Sequence, residues 1–177
     1  MKELALNILD IANNSIRAKC TLLEIIIEES ENNNILTIEI KDNGCGMSAE
    51  TLKRVTDPFY STRKTRHIGL GIPFLKLHAE LAGGNFAIES TENVGTTVFA
   101  SFLYNHPDRQ PLGDVPDIIL MLIASDPQVD YYYKYTTDYG EVEFDTREVK
   151  KVLEDININD PEVIKILKDM MIIHKND

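Results

Sequence analysis

Basic residues are scarce in this chain: 18 lysines and arginines stand against 29 aspartates and glutamates, which gives a net charge of −11. General electrostatic binding of nucleic acid or of an anionic membrane needs a basic surface, so this composition argues against both functions. The imbalance is uneven, because residues 105–177 alone carry a net charge of −8. That segment is either a solvated acidic surface or a docking face for a basic partner protein.

Cysteines and long hydrophobic runs are also few. Cys20 and Cys45 fit a reducing compartment, and their spacing does not match a metal site. The longest apolar run, residues 118–124, is too short to cross a bilayer, and the first residues contain no signal-peptide core. We therefore expect a cytoplasmic protein without a membrane anchor. We expect Cys45 to be a packed thiol rather than a redox or alkylation switch.

Residues 2–18 have the periodicity of an amphipathic helix. Its apolar face contains Leu4, Ile8, Ile11, Ala12 and Ser15, and its polar row contains Asn7, Asp10, Asn14 and Arg17. Asp10 and Asn14 are one turn apart, so both side chains can reach the same point in space. The polar row is either a solvent-facing surface or part of a binding site.

A second polar feature follows a predicted hairpin of two strands, residues 21–28 and 35–41. Asp42 comes at the end of the second strand, and Gly44 and Gly46 come directly after it. A carboxylate there can accept a hydrogen bond from an exocyclic amine, and glycines let a planar ring approach the backbone. The same residues are also compatible with an ordinary turn.

The rest of the chain alternates between predicted helices and strands, with a loop that contains three prolines at residues 105–116. We predict a domain boundary in this loop, with domains 1–104 and 105–177. Before the boundary, the predicted elements are a short helix after Ser48, a basic loop at 61–67, a helix at 73–82 and strands at 86–90 and 96–103. After it come a helix at 117–125, a hairpin at 129–144 with five of the seven tyrosines, a helix at 145–154 and a helix after Asp160.

Five segments, in this order, resemble the ATP-binding boxes of the GHKL superfamily, which includes gyrase-type ATPases, the heat-shock chaperone ATPase, histidine kinases and MutL. They are an Asn box at 9–15, a Gly box at 42–46, a Phe box at 57–62, a second Gly box at 69–71 and a third at 95–97. The resemblance covers residues 4–103. It implies an α+β fold, a two-layer α/β sandwich (Bergerat fold) with a mixed sheet and helices on one face. Residues 105–177 would then form an α+β extension.

The resemblance implies that the chain binds ATP and Mg²⁺. Asp42 would accept a hydrogen bond from the adenine amine, Thr96 would assist through a water, and Asn14 would present its amide oxygen to Mg²⁺. Backbone amides at the start of the helix after residue 70 would bind phosphates. The basic loop would neutralise the triphosphate or remain a solvated loop. The expected cofactor-binding residues are Asn14, Asp42, Gly44, Gly46, Met47, Phe59, Arg63, Lys64, Gly69, Leu70, Gly71 and Thr96.

Asp10 is the expected catalytic residue. In the family that the boxes resemble, gyrase, MutL and anti-sigma-type kinases have a glutamate general base at this position, whereas most histidine kinases have a neutral residue. The aspartate is one methylene shorter, and it could still orient a water or a hydroxyl through one more water. We expect slow hydrolysis at best.

The sequence departs from the family pattern at two places. His67 replaces the usual first glycine of the second Gly box, and no His-Glu or His-Asp acceptor sequence is present. The nearest candidate, His78, lies inside a predicted helix, and we expect it to be structural. The chain is therefore not expected to be a self-sufficient histidine kinase.

Three functions stay open at this point. The chain could be a kinase that acts on an unknown partner protein, an ATP-dependent switch or clamp with slow turnover, or a non-catalytic nucleotide sensor. The presence of Asp10 favours the first two. A homodimer is compatible with each of them.

Overall fold

The computed structural model describes residues 3–57 and 70–173, and within these ranges it has six helices and six strands. The helices are α1 (Leu4–Arg17), α2 (Ala49–Arg54), α3 (Gly71–Leu81), α4 (Val115–Ser125), α5 (Thr146–Leu153) and α6 (Pro161–Met170). The strands are β1 (Leu22–Ser30), β2 (Ile35–Asp42), β3 (Phe86–Thr91), β4 (Gly95–Leu103), β5 (Asp130–Thr137) and β6 (Gly140–Asp145). Every helix and strand predicted from the sequence is present, close to its predicted ends.

The six strands form a single sheet in the order β3-β4-β2-β1-β5-β6. Neighbouring strands are antiparallel except for β1 and β5, which are parallel. The predicted mixed sheet is therefore confirmed. Because β5 follows the proline-containing loop, the sheet continues from the first predicted domain into the second.

The two faces of the sheet differ in burial. In β1, Leu23, Ile25 and Ile27 are buried, whereas the alternate residue Glu28 is exposed. The helices cover the buried face, where α1 inserts its own apolar residues, such as Ile8 and Ile11. Apolar residues recur about every two positions in the strands and about every 3.6 positions in the helix, so each element has one apolar face. The apolar face of the sheet and that of α1 pack together in one core. The two-layer α/β architecture is confirmed.

Helix α4 is apolar on most sides because it is buried on most sides. It packs against both α1 and α6, and its exposed residues are Asp117, Met121, Ala124 and Ser125. Asp114 accepts a hydrogen bond from the amide of Asp117 and so caps the helix. The aliphatic side chains that α4 buries are Val115, Ile118, Ile119, Leu120, Leu122 and Ile123.

The loop of residues 105–116 also supports the start of α1. Helix α1 has no side-chain cap at Glu3. Instead, the amide of Leu4 donates to the carbonyl of Pro111 at 3.0 Å, and the amide of Ala5 donates to the carbonyl of Leu112 at 2.8 Å. Amides in the first turn of a helix lack intrahelical partners, so the loop supplies acceptors that α1 otherwise lacks.

Of the helices in the described ranges, none is both long and apolar enough to cross a bilayer.

The predicted division into domains 1–104 and 105–177 can be tested by truncation. Because β5 and α4 pack with elements of the first segment, we expect the first segment to be unstable alone. We expect a chain that ends at Asn105 to lose its cooperative thermal transition. It would lack the β5 partner of β1, the two carbonyls that cap α1, and six buried aliphatic side chains of α4. Each such side chain contributes roughly 1.5–3 kcal/mol, so the loss is of the same order as the stability of a whole domain.

Circular dichroism melts of the two chains measure this loss, with a chain ending at Ile173 as the control for shortening. A cooperative melt of the 1–105 chain near the full-length midpoint would contradict the prediction.

Candidate functional site

Asp42 is held firmly at the end of β2. It is 9% exposed, and both of its carboxylate oxygens accept hydrogen bonds. Oδ2 accepts from the hydroxyl of Ser15 at 2.5 Å, and Oδ1 accepts from the amide of Gly44 at 2.9 Å. A carboxylate has about four lone-pair sites. Asp42 is therefore an oriented acceptor with capacity for a donor on a ligand.

Ser15 contacts the candidate site but was not predicted as a site residue. Its position in the sequence assigns it to the apolar face of α1. In the structure it is 3% exposed and ties α1 to the end of β2 through Asp42. A buried hydroxyl needs a partner, so a lone serine on an apolar helix face next to Asn14 was a usable signal.

The turn after Asp42 packs against the end of α1. The amide of Cys45 donates to the carbonyl of Ala18 at 2.9 Å. Gly46 has a φ of +66°, and a Cβ at this position would lie 2.0 Å from the carbonyl oxygen of Thr91. Only glycine fits such a position without moving the backbone. Gly46 is thus required by the close passage of the β3–β4 turn, a constraint that the sequence did not reveal.

Thr96 lies directly opposite Asp42, since the two residues are paired across β2 and β4. The hydroxyls of Thr96 and Ser90 are 2.8 Å apart, and the amide of Met47 donates to the Ser90 hydroxyl at 2.8 Å. Ser90 therefore joins two predicted site residues, although nothing in the sequence singled it out. This network fixes the strand ends on one side of the site.

The start of α3 lies against the polar row of α1. A Cβ added to Gly71 would be 2.7 Å from the Cβ of Asp10, and the side-chain amide of Asn7 is 3.4 Å from the carbonyl oxygen of Gly71. Leu70 is the N-cap residue of α3. The first amides of a helix carry partial positive charge and attract anions. The fold thus brings the Asp10 side chain next to the first turn of α3, where the resemblance predicts the phosphates.

Asn14 is half-buried on α1, and its amide oxygen accepts a hydrogen bond from Arg17. The described residues contain no group of three or more His, Cys, Asp or Glu side chains that could hold a metal ion. Mg²⁺ is commonly bound through one or two protein oxygens together with substrate phosphates. The amide oxygen of Asn14 therefore fits an ion that arrives with a phosphate ligand better than an independent metal site.

Four of the predicted binding residues lie outside the described ranges. They are Phe59, Arg63, Lys64 and Gly69. His67, which replaces the usual first glycine of the second Gly box, also lies outside these ranges.

The two cysteines differ in their surroundings. The expectation of a packed thiol at Cys45 is wrong, because this residue is exposed in the glycine-containing turn. Cys20 is buried, and burial followed by the charge of Asp42 raises the pKa of its thiol to about 11. At neutral pH Cys20 is therefore protonated and a poor nucleophile.

His78 has a structural environment, as predicted. Its ring stacks on Phe74 with centroids 6.0 Å apart, and its Nε2 lies 3.3 Å from the side-chain nitrogen of Gln110. Burial lowers the pKa of His78. The ring is thus mainly neutral at pH 7, and it lies between Phe74 of α3 and Gln110 of the loop of residues 105–116.

Comparisons with known proteins place these features in a family. A model of histidine kinase-, DNA gyrase B-, and HSP90-like ATPases matches residues 2–106. The heme sensor protein HssS of Staphylococcus saprophyticus is 34% identical over 94 residues, which are 52% of this chain and 20% of that protein. The sensor histidine kinase YvrG of Bacillus subtilis is 30% identical over 88 residues, 48% of this chain and 15% of that protein. The chain thus spans about a fifth or less of the length of these relatives.

Two solved structures share the fold. The N-terminal domain of a DNA repair protein has a TM-score of 0.59 at 17% identity, covering 81% of this chain and 53% of that one. The Aquifex aeolicus MutL ATPase domain complexed with ADP has a TM-score of 0.53 at 15% identity, covering 87% of this chain and 70% of that one. Each of these structures covers a larger fraction of this chain than residues 1–104 make up. The similarity in fold therefore extends into the C-terminal segment. Since the family model matches more than half of the residues, the chain belongs to the histidine kinase-, DNA gyrase B-, and HSP90-like ATPase family.

Proposed function

We propose that the chain binds Mg-ATP between the second half of α1, the end of β2 and the start of α3. The observation that carries the proposal is Asp42, a buried carboxylate at a strand end that Ser15 and Gly44 hold as an acceptor. Family membership supports ATP as the nucleotide. Asp42 would accept from the adenine amine, and Thr96 would assist from the neighbouring strand.

The phosphates would lie at the start of α3, near Leu70 and Gly71, where backbone amides and the helix dipole favour negative charge. Asn14 would present its amide oxygen to Mg²⁺, which would neutralise phosphate charge when bound. Arg63 and Lys64 belong to the predicted basic loop and would add positive charge there. Gly46 and Met47 would border the base.

We further propose that the chain transfers or hydrolyses the γ-phosphate, with Asp10 as the general base. An attacking hydroxyl, from water or from a partner protein, would lose its proton towards the Asp10 carboxylate while the bond to ADP breaks. The closeness of Asp10 to Gly71 supports this role, because Gly71 begins the helix at which the phosphates are expected. The shorter aspartate favours slow turnover.

A kinase that acts on a separate protein is the activity we favour. One relative is a sensor histidine kinase by name, and the chain covers 15% of it. The structural role of His78 removes the nearest candidate acceptor in the described part of the chain. A nucleotide sensor without catalysis is the second candidate.

Incubation with γ-labelled ATP, with and without a lysate of the source cell, separates these activities. A labelled partner protein supports the kinase, and released phosphate from the chain alone supports the ATPase. A chain that binds ATP but gives neither product is a sensor. A chain that does not bind ATP at all overturns the proposal.

Replacement of Asp42 tests the assignment of the adenine site. Asp42→Asn presents a donor where an acceptor is needed, so we expect ATP binding to weaken by roughly 1–3 kcal/mol. Isothermal titration calorimetry with Mg-ATP measures this loss. Asp155→Asn, an exposed aspartate elsewhere, is the matched control. Equal affinities of the two variants would remove Asp42 from the site.

Two substitutions on α1 separate metal binding from proton transfer. We expect Asn14→Ala to abolish the Mg²⁺ dependence of nucleotide affinity. Asp10→Asn should leave affinity nearly unchanged and lower turnover, since general-base assistance contributes roughly 10²–10⁴-fold. Calorimetry and phosphate release measure the two effects, with Asn13→Ala as the control. Equal loss of binding in both variants would contradict the division of roles.

A further inference from the structure

A cavity of about 400 Å³ lies far from Asp42, at the other end of the sheet. Asp42 is paired with Leu23 of β1, whereas Glu29, six residues further along the same strand, borders the cavity. At the rise of a β-strand this separation is about 20 Å. The cavity is therefore a separate site, and its volume is within the range of small-ligand pockets.

The charged residues in the described lining of this cavity have one sign. Three carboxylates border it, those of Glu29, Glu31 and Asp138, and its described lining contains no lysine, arginine or histidine. Asp138 is fixed in place, because its two oxygens accept from the Ser30 hydroxyl at 2.6 Å and from the Asn32 amide at 3.1 Å. An anionic ligand would meet repulsion here, whereas a cation would be attracted.

Tyr133 supplies an unused hydrogen-bonding group. This residue borders the cavity and is 1% exposed, yet its hydroxyl has no hydrogen-bond partner in the ranges that the structure describes. The hydroxyl oxygen is accessible from the cavity rather than enclosed, so a group that binds there can pair with it. The hydroxyl can accept a hydrogen bond from a ligand.

The neighbouring Tyr135 orients one of the carboxylates. Its hydroxyl donates to Oε2 of Glu29 at 2.5 Å, and its ring stacks with that of Tyr133 at a centroid distance of 6.4 Å. Burial raises the pKa of both tyrosines, and the charge of Glu29 contributes to each shift. Both tyrosines therefore stay neutral at pH 7, and Glu29 is a fixed acceptor beside aromatic rings.

We propose that this cavity binds a primary alkylammonium group, with its charged head between Glu29 and the hydroxyl of Tyr133. An ammonium group has three donors and no acceptor, so it can donate to a lone pair of the Glu29 carboxylate that Tyr135 does not use and to the hydroxyl oxygen of Tyr133. The adjacent aromatic rings favour a cation as well. Leu112, Val115 and Met171 form an apolar wall for the alkyl stem. The group can belong to a free amine or to a lysine side chain of another protein.

An NMR titration of the full chain with n-butylammonium chloride tests the proposal, with n-butanol as the neutral probe of similar shape. We expect shifts of the amide signals of Glu29, Tyr133 and Asp138 with the amine, and much smaller shifts with the alcohol. Equal responses to the two probes would overturn the role of charge, and the absence of any response would overturn the site.

Adjacent residues offer matched controls, because neighbours in a strand point to opposite faces. We expect Glu29→Gln to weaken butylammonium binding about tenfold and Tyr133→Phe about fivefold, as for hydrogen bonds to a charged group. Glu28→Gln and Tyr132→Phe should leave it unchanged. Thermal melts check that each variant is folded. Binding that Glu29→Gln and Tyr133→Phe leave unchanged would overturn the proposal, even if n-butylammonium binds elsewhere.

Two further titrations distinguish the source of the ammonium group. Spermidine and a short lysine-containing peptide are compared with a peptide in which that lysine is acetylated. Tighter binding of spermidine supports a free amine, and tighter binding of the unmodified peptide supports a protein lysine. Binding that occurs only in a chain ending at Ile173 would assign the cavity to the chain's own terminus and overturn the proposal.

Discussion

The hydrogen bonds at the first turn of α1 couple the two halves of the chain. A helix needs acceptors for its first amides, and here they are the carbonyls of Pro111 and Leu112 rather than a side chain of α1 itself. The other end of α1 is joined to β2 through Ser15 and Asp42. The helix that carries Asp10 and Asn14 is thus fixed at both ends, once by the loop that looks like a boundary and once by the candidate adenine site.

The central position of β1 has a similar effect on the sheet. This strand is paired with β2 on one side and with β5 on the other. Without β5, a row of apolar residues such as Ile25 and Ile27 would be next to an open strand edge, which is an aggregation hazard in natural proteins. The C-terminal segment therefore completes the sheet on which the ATPase motifs are built.

Local patterns were enough to predict the helices, the strands and much of the candidate site. Asp42 and Asn14 could be found because each residue type stands at a recognisable place in a helix or strand. The parallel pairing of β1 with β5 could not be predicted, because it joins residues more than 100 positions apart and no pattern within a short segment indicates it. Ser90 was missed for the same reason, because its role depends on Thr96 and Met47 in two other segments.

The same pairing has a consequence for how the chain folds. Contacts between residues that are distant in sequence close large loops, and proteins rich in such contacts fold slowly. During synthesis, the segments that resemble ATP-binding boxes leave the ribosome before β5 does. One edge of β1 is therefore unpaired until β5 has been synthesised. The synthesis of β5 therefore sets the earliest time at which the candidate nucleotide site can become stable.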